Sequence, residues 1–274
     1  MLNSIRSLET KAYREMPDID HGLPIFARGR LTVTKGEPDA LADVFNATHV
    51  YFTPYIGCYG FPEISLDITT LAASTMHDFF YTTDHTLSAV AWAGANVRAT
   101  ALVRYQGYLR LSTDYTKIFL GSGFIDAGQR IQDALAFRYL SNYYNGIQKS
   151  MYVFEGTSHT YNGAFRLWNN SIVNNQLNFI VCQPNGQNAL FGFQASLKAG
   201  ADASYARITY YLDGVRYNAP FINLQNRNVQ IVETGRMSVT SAIGTGFHYT
   251  NCYEDSNHAS STFDDLFLQA QLMF

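Results

Sequence analysis

The residues whose types could carry chemistry are few and scattered. Seven histidines stand at His21, His49, His77, His85, His159, His248 and His258, with no H-E-x-x-H pair among them. His248 and His258 flank Cys252, Glu254 and Asp255, which are metal-ligating types, but the spacing has no rationale as a ligand set. Glu254-Asp255 and Asp264-Asp265 are adjacent acid pairs. On a strand, neighbours point to opposite faces, whereas glycoside hydrolysis needs two carboxyls about 5–9.5 Å apart across one bond. No G-x-S-x-G elbow, P-loop or dinucleotide fingerprint is present. Gly121-Ser122-Gly123-Phe124 lies between strand-like segments, so it reads as a turn or bulge and not a phosphate cradle. Cys58, Cys182 and Cys252 are odd in number and widely spaced, so they read as small, reduced, buried residues. The expectation is a non-enzymatic protein with no metal and no cofactor. A polysaccharide-degrading enzyme or a glycan-binding lectin is the alternative, and the enzyme would need paired acids or a serine with a base.

The more suggestive feature is aromatic rings set among Asn, Gln, Ser and Thr. The chain holds 19 Tyr and 19 Phe but 2 Trp, and Tyr143-Tyr144, Tyr210-Tyr211, Tyr249 and Tyr253 are examples. Tyrosine offers rigid, amphipathic contact area at low entropy cost, which sugar-binding and protein-binding surfaces both use. The polar stretch Asn251 to Thr262 precedes the last strand-like run and reads as a tip loop, with Tyr253, Asp255 and His258 as receptor contacts.

These residues must be positioned by 274 residues, enough for one large domain or two ordinary ones. Hydrophobic residues make up 47% and charged residues 15%, a balance that excludes disorder. A net charge of -3 argues against a basic nucleic-acid face. No run of about 18 apolar residues exists, so no membrane insertion is expected, and residues 1–20 lack a secretory apolar core. Residues 1–25 form a mixed segment broken by Pro17 and Pro24, readable equally as a frayed terminus or as a docking arm. From Arg28 onward strands dominate. Glu63 to Ile68 alternates polar and apolar, Asp84-His85 separates two β-rich runs, and Asp213-Gly214 is a strong hairpin turn. One segment differs: Ile131, Leu135 and Tyr139 fall on one helical face and Gly146 follows as a stop, which predicts a helix over 131–142. Short strands at near-regular spacing otherwise point to sandwiches or barrels.

Several motifs carry a resemblance. They are Gly29-Arg30-Leu31-Thr32-Val33-Thr34, Tyr51-Phe52-Thr53-Pro54-Tyr55-Ile56-Gly57, Leu71 to Tyr81, Arg98-Ala99-Thr100-Ala101-Leu102, Phe119-Leu120-Gly121-Ser122 and Asp133 to Asn145. In order and spacing over about 29–145, the chain resembles a β-rich module of tailed-phage and prophage virion proteins, especially head or tail fibre and adhesin-like proteins. Phe137 departs from the family, which often has Lys there, and residues 59–62 replace a longer loop. The resemblance implies a virion structural protein, assembled in the host cytoplasm and homotrimeric. The expected architecture is all-β: two stacked antiparallel, jelly-roll-like β-sandwiches with one short central helix. Residues 1–25 would be the virion-docking arm, with Ile5, Leu8, Tyr13 and Pro24 contacting a head, neck or tail protein. Residues 26–145 would form the first sandwich and 146–274 the second. A host surface glycan is the further expected partner.

Overall fold

The computed structural model describes residues 29–35, 44–53, 55–56, 59–60, 63–170, 175–201, 204–225 and 231–273. The proposed arm residues Ile5, Leu8, Tyr13 and Pro24 lie outside the described residues, as does Cys58. The chain begins with β1 (Leu31–Thr32), β2 (Val44–Ala47), β3 (His49–Phe52), β4 (Tyr55–Ile56), β5 (Tyr59–Gly60) and β6 (Ile64–Asp67). Longer strands follow: β7 (Thr75–Thr82), β8 (Leu87–Ala91), β9 (Leu102–Tyr105), β10 (Tyr108–Leu111) and β11 (Asp114–Ile125). Then come β12 (Ile131–Ala134), β13 (Phe137–Arg138), β14 (Leu140–Asn142), β15 (Gln148–Glu155), β16 (His159–Thr160) and β17 (Gly163–Leu167). The remainder is β18 (Leu177–Val181), β19 (Gln187–Lys198), β20 (Tyr205–Leu212), β21 (Val215–Gln225), β22 (Ile231–Ile243), β23 (Gly246–Ser256) and β24 (Thr262–Met273).

The fold is all-β, with sheets stacked face to face. The sheet β1-β3-β6 packs on the sheet β8-β7-β11-β10-β9, and Leu31, Val50 and Phe52 meet Phe79, Tyr81, Ile118 and Leu120 between them. The second sandwich sets β2-β12-β13-β18-β23-β20-β21 against β15-β24-β19-β22. Its core joins Phe179, Ile208 and Tyr210 to Phe191, Phe193 and Leu268, with Phe193 edge-on to Tyr210 at 4.8 Å. β13 pairs in parallel with β18, so this sheet takes strands from both sides of residue 145.

The turns follow the sequence reading. His85 sits at φ 60 between β7 and β8. Asp213 and Gly214, at φ 50 and 85, make the turn with two positive φ values that a tight hairpin favours. The register slips between Phe119 and Gly121, as expected for a bulge. A Cβ on Gly121 would lie 2.1 Å from the Ser141 carbonyl oxygen, so only glycine lets β14 approach. Cys182 and Cys252 are free and fully buried.

The expected helix over 131–142 is not formed. That segment is β12, a tight turn, β13 and β14; the helical element among the described residues is a 3-10 turn at Trp168–Asn170. Three apolar residues on one face give a twelve-residue helix little to bury, and an isolated helix of that length is marginal. Pairing wins instead: Ile131 pairs with Ala47, and Asp133 faces Arg138 across the hairpin. Arg138 Nη1 donates to Asp133 Oδ1 at 3.0 Å, and Lys149 Nζ donates to Asp133 Oδ2 at 2.6 Å.

Burial leaves a pH signature. It pushes the Cys182 thiol up to about 12 and raises Cys252, Tyr139, Tyr144 and Tyr210 further. Each folded value lies above the unfolded one, so the folded state holds protons the unfolded chain has released. The stability these groups contribute is complete below about pH 8.5 and is lost as pH rises through their folded values. Lys149, lowered mainly by burial, acts in the opposite sense, but it is one group against five. The thermal midpoint should fall steadily between about pH 9 and pH 11. A flat midpoint across that range would overturn the account.

Candidate functional site

The candidate site is the outer face of β20 and β23. Strand alternation builds it: Ala206, Ile208, Tyr210 and Leu212 point into the core, so Tyr205, Arg207, Thr209 and Tyr211 point out. On β23, Cys252 points in, while Tyr249, Asn251, Tyr253 and Asp255 share the outer face. The register sets Arg207 opposite Asp255, Thr209 opposite Tyr253 and Tyr211 opposite Asn251. Tyr211 therefore lies diagonally between Tyr249 and Tyr253. Its ring stacks on Tyr253 at 4.6 Å and 21° and tilts against Tyr249 at 5.9 Å.

The phenol groups are linked through Tyr211. Its hydrogen bond with Tyr249, followed by burial and the nearby Tyr211 and Asp213 charges, pushes the Tyr249 hydroxyl up to about 12. Burial and a hydrogen bond with Tyr211 also raise Tyr253. The Tyr211 and Tyr249 hydroxyls lie over Gly214, 3.5 and 3.7 Å from where a Cβ would stand. The turn below them is fixed: Asp213 accepts from the Tyr249 amide at 3.0 Å and pairs with His248 Nδ1 at 2.7 Å. His248 Nε2 faces the Gly244 carbonyl at 2.7 Å, and the ring stacks on Phe179.

Arginines extend the face. Arg207 binds Asp255 with both Nε, at 2.9 Å, and Nη2. Its guanidinium lies over Tyr205 at 4.1 Å and over Phe165 at 5.2 Å. The exposed Arg216 lies over the same Phe165 ring at 4.2 Å. Phenol donors and acceptors beside guanidinium groups suit a hydroxyl-rich or carboxylate-bearing ligand.

Of the three residues expected as receptor contacts, the structure brings Tyr253 and Asp255 onto one face. Asp255 is only 2% exposed and is occupied by Arg207, so it orients the arginine and is not itself presented. His258 stands apart, in the turn after β23, where it packs on Gly200 and its Nδ1 accepts from the Ser260 amide. The expected tip loop is corrected too. Residues 251–256 are strand, paired with β20 and, through Glu254 and Asp255, tied to Arg166 and Arg207 on the flanking strands, and the turn is confined to 257–261. Tyr211 carried a sequence signal as part of Tyr210-Tyr211, whereas Arg207 and Arg216 carried none.

A second polar cluster escaped the sequence reading. Glu254 is fully buried and meets His159 Nε2 at 2.5 Å and Arg166 Nε at 2.8 Å. His159 stacks on Phe263 and meets Trp168 edge-on, and the Trp168 indole donates to Glu155 at 3.0 Å. Burial alone would raise Glu155, yet hydrogen bonds from Thr157 and Trp168 hold it below the usual glutamate value. Glu254 is thereby bound to β16 and β17, and Glu155 to Thr157 and the turn at Trp168–Asn170. No three His, Cys, Asp or Glu side chains gather as a metal-holding group among the described residues.

No protein-family model matches the chain, and no curated protein matches it. Among solved structures it is similar to the infectious bursal disease virus VP2 subviral particle, at 12% identity and a TM-score of 0.34, covering 72% of this chain and 52% of that one. The infectious bursal disease virus Gx strain structure is similar at 11% identity and a TM-score of 0.32, covering 82% and 55%. BuGH86 in complex with neoagarooctaose is similar at 8% identity and a TM-score of 0.27, covering 82% and 32%. The chain thus spans about half the length of the viral structures and about a third of BuGH86.

Proposed function

We propose that the chain is a non-enzymatic structural subunit of a phage virion, a head-, neck- or tail-attached fibre or adhesin that turns its Tyr211 face to a host surface glycan. One observation carries the virion reading: the residues of the phage-like motifs pair with one another inside the fold. Asn142 holds both the amide and the carbonyl of Leu31, at 2.6 and 3.1 Å. Arg98 Nε donates to Asp78 at 2.7 Å, and Ser122 Oγ donates to the same carboxylate at 2.6 Å. Asp133 pairs with Arg138. Pieces far apart in sequence are thus parts of one buried framework, which supports common architecture and a structural role. The homotrimer and the docking of residues 1–25 on a virion protein belong to the same proposal.

Two measurements test it. Particles purified from a culture that encodes and induces this chain should contain it in fixed stoichiometry, and particles lacking it would overturn the virion reading. Tyr211→Ala and Tyr253→Ala should each weaken binding of the purified protein to host cells by about tenfold, the loss of an interface hot spot. Unchanged binding would remove the face.

A further inference from the structure

On the opposite side of the second sandwich, the outer face of β15, β24 and β19 has a different chemistry. Of eight large hydrophobic residues exposed among the described residues, four stand there: Tyr152 at 42%, Phe154 at 60%, Leu190 at 42% and Met273 at 44%. The register makes them contiguous. Phe154 lies opposite Phe267, Tyr152 opposite Gln269, and Leu190 opposite Gln271. Tyr152 and Phe267 stack at 5.6 Å and 29°. Gly192 lets Gln269 lie across the sheet, since a Cβ there would come 2.7 Å from its Nε2. Contiguous apolar patches of this kind mark contact surfaces.

Charge decides what covers the face. The chain carries 19 basic and 22 acidic residues. On these three strands the outward positions between Gln148 and the rim residue Asp265 are filled by aromatic, aliphatic, Gln, Ser and Gly residues. A charged partner would bury its charge here unpaired, at a cost of several kcal/mol per ion. A copy of the same face brings charge only at its rim, where Lys198, Asp264 and Asp265 stand, and each Gln amide offers both donors and an acceptor to its counterpart. Symmetric assemblies bury one patch repeatedly, which requires such self-complementarity.

We propose that the outer face of β15, β24 and β19 is the self-association face, where Tyr152, Phe154 and Phe267 are covered by a second copy of this chain. The assignment rests on the oligomeric part of the function proposed above and names the surface that makes it. Light scattering on the full chain tests it. The unaltered protein should be an oligomer at micromolar concentration, and Phe154→Glu should raise the dissociation concentration at least about a hundredfold. Leu190→Lys should do the same, so a folding defect in one variant leaves the other to decide. Val97→Glu, at an exposed site elsewhere, should leave the oligomer unchanged. An oligomer that survives both face variants would overturn this surface while leaving the oligomer intact. A monomeric unaltered protein would overturn self-association itself, and the composition of purified particles would still decide the virion reading.

Discussion

Replacing Asp133 with alanine should cost about 3–5 kcal/mol of folding stability, the expected price of breaking a buried ion pair from one side. Asp133 is 5% exposed and is bound by Arg138 and Lys149, themselves 3% and 5% exposed. Arg30, 2% exposed, also lines this region, around a cavity of about 10 Å³ that has room for one water. Burial, opposed by Asp133, already lowers the Lys149 ammonium, so removing the carboxylate takes away the group that favours its charge. Lys149 can escape by losing its proton, but Arg138 cannot, since a guanidinium keeps its charge below about pH 12. Urea unfolding of Asp133→Ala should show the loss. Replacing Asp133, Arg138 and Lys149 together by apolar residues of similar size should recover most of it. A loss under about 1 kcal/mol for the single change would refute the role of this carboxylate as a hub.

Arg98→Ala should be nearly as damaging, at about 3 kcal/mol, because it strands the Asp78 carboxylate in the interior. Arg98 joins three parts of the chain. It donates to Asp78, to Ser122 Oγ at 3.4 Å and to the Cys182 carbonyl at 3.1 Å. Its guanidinium lies 4.6 Å from the Trp92 ring centre and 5.2 Å from that of Phe119. Arg98→Lys keeps the charge but loses the planar fork and the stacking, so it should recover less than half. Asp78→Ala combined with Arg98→Ala should cost less than the sum of the single changes, because the second change removes the stranded charge. Strict additivity would show that the two residues are not coupled.

Much of this architecture was legible because period-two alternation and turn chemistry are local. Tyr205–Leu212 alternates, Asp213-Gly214 turns, and the following strand returns. Asp133 to Asn145 is the instructive exception. Its helical spacing is real, but pairing with β2 and β18 is long-range and cannot be read from spacing. The same holds for the Tyr211 face. Tyr253 was visible as a polar-aromatic residue, but its neighbour Tyr211 is set by a register between strands about forty residues apart in sequence. Ser150 to Phe154 shows a third limit. Its outward positions are themselves apolar at Tyr152 and Phe154, so the alternation that would reveal two faces is hidden in the letters and appears only as unequal exposure.

The place of β24 has a consequence for biosynthesis. It lies inside its sheet, paired with β15 on one side and β19 on the other. A nascent chain that has reached residue 261 carries both neighbours, each with an open edge and no strand between them. Those edges can close on each other wrongly, recruit a chaperone, or pair with the same edges on a neighbouring nascent chain from the same message. Strand β24 therefore closes a gap that its two neighbours hold open until it is made. A product cut short before Thr262 leaves Phe191, Phe193 and Met151 without the Leu266, Leu268 and Ala270 that cover them, which marks it for proteolysis before it can compete for a place in an assembly.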